Sequence, residues 1–113
     1  MTELATRWVA LMRASKNRSM GQEVTAEPFG ATFDALGLLL VAEIGQDAVI
    51  EGMTLCPENR GGWLSRQVVH TALRAAGFLR IEDLATTLTE MNDTHETWAA
   101  MARLVESWPR SVA

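Results

Sequence analysis

TFDALGLLLVAEIG, residues 32–45, places Phe33, Leu36, Leu40 and Ile44 at helical spacing and fills the other faces with Leu38, Leu39 and Val41. A helix that is apolar nearly all round has no face to offer solvent, so the pattern predicts the buried centre of a domain. Thr32 is the expected N-cap, Asp34 falls in the first turn where the helix dipole favours an acid, and Gly45 is the expected stop. Twelve or so helical residues span only about 18 Å, too little to cross a bilayer. A buried strand is the competing reading, and Asp34, Ala35, Gly37, Ala42 and Glu43 argue against it.

Working outward, a helix is expected over residues 2–15, with Leu4, Trp8, Leu11 and Met12 on one face. Residues 16–31, KNRSMGQEVTAEPFGA, are interrupted by Gly21, Pro28 and Gly30 and carry no helical stripe. Val24 is expected in a short strand there, and Phe29 as an anchor onto the core. Past the central helix, QDAVIEGMTL (residues 46–55) sets Val49, Met53 and Leu55 on one side of a period-two pattern, which predicts one short strand. Cys56–Gly62, CPENRGG, reads as a loop.

A further helix is expected after Ser65 as N-cap, with Val68, Val69, Ala72, Leu73 and Ala76 facing inward. Gly77 should end it, with Phe78 making the hydrophobic contact that accompanies a glycine C-cap. Ile81, Leu84, Ala85, Leu88 and Met91 form the stripe of the next helix. Asp93 with Glu96 three residues on reads as a capping box that opens a last helix, which buries Trp98, Met101, Ala102, Val105 and Trp108 before Pro109 stops it. The expected fold is mainly α: four to five helices around a buried central helix 33–44, a short β element near 49–55 and a C-terminal αα-hairpin over 81–108. An α+β fold is the alternative. The 113 residues are expected to form a single domain, 1–113.

Composition narrows the function classes. The net charge of −4 gives no general attraction to nucleic acid or anionic membrane. The charge is uneven: residues 1–20 set Arg7, Arg13, Lys16 and Arg18 against Glu3, whereas residues 81–106 set Glu82, Asp83, Glu90, Asp93, Glu96 and Glu106 against Arg103. An acidic C-terminal third suits a basic partner or a solvated helical surface. Cys56 is the only cysteine, so no intramolecular disulfide can form and a reducing, cytoplasmic setting is expected. The N-terminal MTELATRW has neither a signal-peptide nor a lipidation pattern.

Candidate chemistry is sparse. Cys56, His70 and His95 show no metal-ligand spacing and no nucleophile–base pattern, and Gly61-Gly62 lacks the lysine of a phosphate loop. No cofactor and no catalytic residue is assigned. A helix-turn-helix reading of residues 65–91 founders on its second helix, whose Glu82, Asp83 and Glu90 would be repelled by phosphate. Four tryptophans stand beside no tyrosine; Trp63, after Gly61-Gly62, serves either as a lid on the core or as a binding anchor.

With the elements placed, a wider pattern emerges: RWVALMRAS (7–15), GQEV (21–24), FDALGLLL (33–40) and LTEMNDTHETWAAMARLVE (88–106). It resembles a group of short, largely uncharacterised accessory proteins of tailed phages and prophages, which read W-x-x-x-L-R, then L-G-V-L within a helix, then N-D ahead of a terminal amphipathic helix. Here Phe33, Ala35 and Leu40 replace that group's cysteines, and Met91 precedes Asn92-Asp93. The resemblance implies a phage or mobile-element origin. The expected function is therefore a non-enzymatic accessory protein that binds a host or phage protein, inhibition of a host defence system being one form. Glu82, Asp83, Glu90, Glu96, Trp63 and Arg60 are the candidate partner-binding residues. The alternatives are a small-molecule or nucleotide-binding sponge near Trp63 and Arg60, or a nucleic-acid-binding helical domain using Arg7, Arg13, Lys16 and Arg18. Self-pairing of the first or last helix into a homodimer is also open.

Overall fold

In the computed structural model the described residues are 1–15, 24–27, 30–55 and 66–111. They form a mainly α fold, in the order α1 (Glu3–Ala14), β1 (Val24–Glu27), β2 (Gly30–Phe33), α2 (Ala35–Ile44), α3 (Gln46–Leu55), α4 (Arg66–Ala75), α5 (Ile81–Asp93) and α6 (Trp98–Ser107). Helix α2 lies at the centre, packed against α1, α3, α4 and α5, while α6 packs against α1 and α5.

The central stretch behaves as its sequence demands, with its ends displaced. Ala35–Leu40 are all buried, but Ile44, expected in the stripe, is 53% exposed at the far end. The N-cap is Asp34 and not Thr32: Asp34 Oδ1 accepts from the Gly37 N–H at 2.8 Å. Thr32 is engaged elsewhere, in an antiparallel hairpin that pairs Val24 with Phe33 and Thr25 with Thr32. The strand expected at Val24 is thus present, and it draws the start of the supposed helix into its partner strand. Asp34, the first residue beyond the ladder, adds a negative charge at the positive end of the helix dipole.

Residues 46–55 are helix α3, which overturns the β element expected near 49–55. The period-two reading rested on Val49, Met53 and Leu55, and Val49 and Met53 are also four apart, the helical spacing. Gln46, Ala48 and Glu51 are good helix formers, which tips a segment with so few apolar markers. Gly45, at φ 91, ends α2 and turns the chain, and the Val49 N–H bonds back to the Gly45 carbonyl. Six helices among the described residues replace the four to five expected, since this segment adds one.

The remaining core follows the stripes in part: Leu4, Leu11, Ala85 and Met91 of the expected inner faces are half-buried, and α1 buries Ala5 and Val9 in addition to Trp8 and Met12. Ala5, Trp8, Val9 and Met12 of α1 join Val69, Ala72, Leu73, Ile81, Leu84, Leu88, Met101, Ala102 and Val105. Trp8 is fully buried; its Nε1–H donates to the Ala35 carbonyl at 2.7 Å and its ring meets Phe78 edge-on, centroids 5.7 Å apart. Val68, expected inside, is 45% exposed, while Trp98 and Trp108 are half-buried. Gly77 closes α4 as expected: its N–H bonds the Arg74 carbonyl and the Phe78 N–H bonds the Leu73 carbonyl, the paired bonds of a Schellman motif.

The same motif ends α5, where a capping box had been expected. The His95 N–H reaches the Asn92 carbonyl and the Glu96 N–H reaches the Met91 carbonyl. Asp93 therefore closes α5, and Thr97 caps α6 by accepting from the Ala100 N–H at 3.1 Å. Asn92 is the reason the helix runs on: it is buried, and it continues the four-residue series Leu84, Leu88, Asn92. His95 occupies the left-handed position of this motif at φ 60, where glycine carries no Cβ penalty. Replacing His95 with Gly should therefore raise stability by about 0.5–1 kcal/mol, seen as a melting temperature about 3 °C higher. A fall in melting temperature would show that the imidazole makes a contact worth more than the strain.

Candidate functional site

The candidate partner-binding acids divide by environment. Glu82, Asp83 and Glu90 are all exposed on α5, a helix whose sequence contains no lysine or arginine. Asp83 is tied to Arg80, whose Nη2 and Nε donate to Asp83 Oδ2 at 2.9 and 3.2 Å. Glu96 is exposed as well, but it belongs to the C-terminal cap of α5 and not to the first turn of α6. Trp63 and Arg60 lie outside the described residues, as do Cys56–Gly62, Ser65, Phe29, Lys16 and Arg18.

Of the basic residues near the N-terminus, Arg7 stands 3.8 Å from Glu3 and Arg13 pairs with Glu106 of α6. These pairs direct both guanidinium groups toward carboxylates of the same chain, which weakens the case for a phosphate-binding strip along α1. His70 is buried on α4 and His95 is exposed in the cap after α5. Among the described residues no group of three His, Cys, Asp or Glu side chains could hold a metal ion, and no helix is long and apolar enough to cross a membrane.

The structure also assembles a surface that no sequence period marks. The chain beyond α6 folds back onto the link between α4 and α5. The Leu79 N–H bonds the Pro109 carbonyl at 3.0 Å, the Ser111 N–H bonds the Gly77 carbonyl at 2.8 Å, and Phe78 and Arg110 form an antiparallel bridge. Trp108 donates its Nε1–H to the Leu79 carbonyl at 2.8 Å, and the Arg80 guanidinium lies 5.5 Å from the centre of its ring. Thr2 fastens the other side of the same corner, its hydroxyl donating to the Ala76 carbonyl at 2.7 Å. Beside it lies an open depression of about 550 Å³, lined by Arg74, Phe78, Leu79, Arg80, Ile81, Glu82 and Asp83. The only advance signal for this surface was Trp108 itself, which the helical stripe assigned to the core.

Comparison of the chain with protein-family models, curated proteins and solved structures finds no match in any of the three.

Proposed function

We propose that this chain is a small non-enzymatic accessory protein of phage or mobile-element origin that acts by binding a host or phage protein, with inhibition of a host defence system as one form of that action. The observation that carries the reading is the solvent face of α5. Glu82, Glu90 and Asp93 are exposed along one helix whose own sequence carries no lysine or arginine, and Asp83 beside them is paired with Arg80 at the N-cap. Such a face speeds association with a basic surface and discriminates against acidic ones more than it adds raw affinity. The phage-like pattern of Trp8, Leu36-Gly37 and Asn92-Asp93 supports the origin.

The test begins with affinity capture from a bacterial lysate and ends with the captured protein purified and mixed back with this chain. A complex of fixed stoichiometry that forms from the two purified components and weakens with added salt supports the proposal. The double substitution Glu82→Lys with Glu90→Lys should weaken that complex at least about tenfold. Both positions are exposed, so stability should change by no more than about 0.5 kcal/mol. A small molecule or nucleotide found bound in native mass spectrometry, with no protein partner, would overturn the reading in favour of a sponge. Turnover of any substrate would overturn it in favour of an enzyme.

A further inference from the structure

We propose that the corner where the chain beyond α6 meets the α4–α5 link is the interface of a symmetric dimer of this chain. Leu79 is 48% exposed there although it sits between the buried Phe78 and the ordered Arg80. It is bonded through its backbone to Pro109, which is exposed, and to Trp108, which is half-buried. Three apolar residues are therefore brought to one corner of the surface by these bonds, from two parts of the chain 29 residues apart.

Two properties of this corner select a second copy as its occupant. The first is charge. A twofold interface presents one patch to itself, so a patch of a single sign repels its own copy. The α5 face beyond the corner carries acids and threonines but no cation, whereas the depression sets Arg74 and Arg80 against Glu82 and Asp83. Arg80 and Asp83 are already paired within the chain, so Arg74 and Glu82 are the cation and the anion that each copy offers the other across the twofold axis. The second is rigidity. The Trp108 ring is held by its hydrogen bond to Leu79 and by the Arg80 guanidinium, so docking costs little additional side-chain entropy. Tryptophan and arginine are also the residue types that most often dominate binding energy at interfaces.

The dimer and the partner complex respond differently to salt. A chain of net charge −4 repels its copy at long range, and salt screens that repulsion together with the charge pairs across the seam, while leaving the apolar contact in place. Self-association should change little with salt, whereas a basic partner on α5 should dissociate.

Sedimentation and light scattering across a concentration series test the proposal. The wild-type chain should move from its monomer mass of 12.4 kDa to twice that value. Leu79→Glu should raise the dimer dissociation constant at least about tenfold with the circular dichroism spectrum unchanged, since Leu79 is already half in solvent. Ile44→Glu, at an equally exposed apolar position on α2, should leave the dimer intact. A monomer at every concentration would overturn the proposal. So would a dimer indifferent to Leu79→Glu, or one that Ile44→Glu weakens as much.

Discussion

Trp8→Ala should lower the free energy of unfolding by about 4 kcal/mol, measured by urea denaturation with the slope of the transition unchanged. Three features of the site add to that loss. Trp8 is 0% exposed and is among the largest fully buried side chains, so truncation removes a large apolar area and leaves a void between α1 and α2. Its ring edge meets Phe78 at an interplanar angle of 79°, a T-shaped contact worth about 0.5–1.5 kcal/mol beyond burial. Its Nε1–H bonds the Ala35 carbonyl, which joins α1 to the first turn of the central helix. A domain of this size is stabilised by about 5–15 kcal/mol in total, so the variant should sit near its unfolding midpoint at modest denaturant. Trp8→Phe separates the contributions: it keeps most of the aromatic packing and removes the donor, and should cost about 1–2 kcal/mol. A loss below about 1 kcal/mol for Trp8→Ala would mean that the core closes over the gap and that Trp8 is not the joint between α1 and α2.

That joint was only half legible in the sequence. The spacing of Leu4, Trp8, Leu11 and Met12 gives the inner face of α1, because burial on one side of a helix imposes its own period. The spacing cannot show what Trp8 touches, since Ala35 and Phe78 are brought to it by tertiary packing. Element ends fared worse, for a consistent physical reason. Caps are decided by whichever neighbour wins a backbone group, and Thr32 loses its capping role to a strand partner, Thr25, seven residues away. Asp93 and Glu96 form an acceptable capping box on paper, yet the buried Asn92 extends α5 over the first of them. Over residues 46–55 the apolar markers fit both periods, so only propensity could have decided. The acidic face of α5 was legible because every acid on it is local to one helix. The corner at Leu79 and Trp108 was not, because it is built by residues far apart in the chain and held by backbone bonds and by side-chain bonds to backbone carbonyls, neither of which leaves a trace in side-chain periodicity.

Gly45→Ala should cost about 2 kcal/mol, although nothing lies within 4 Å of the Cβ it would add. The cost is conformational. Gly45 has φ 91 and ψ 155, a region that side chains with a Cβ essentially do not enter. Alanine is the better helix former by about 1 kcal/mol, but that preference applies inside a helix and Gly45 lies between two. Gly77 provides the contrast. It too has φ 91, and there an added Cβ meets Thr2 Cγ2 at 3.1 Å, so Gly77→Ala combines backbone strain with crowding against the N-terminal cap. Asparagine distinguishes the two kinds of site further, because its side chain tolerates the left-handed region but not the extended positive-φ one. His95 at φ 60 shows that this fold accepts a side chain in the former. Gly45→Asn should therefore be as costly as Gly45→Ala. If Gly45→Ala instead leaves stability unchanged or raises it, while far-UV circular dichroism gains helical signal, α2 and α3 would have to run on as one helix. The bend at Gly45, which turns the chain so that Val49 is buried while Ile44 is left at the surface, would then be a weak preference of the backbone and not a fixed feature of the fold.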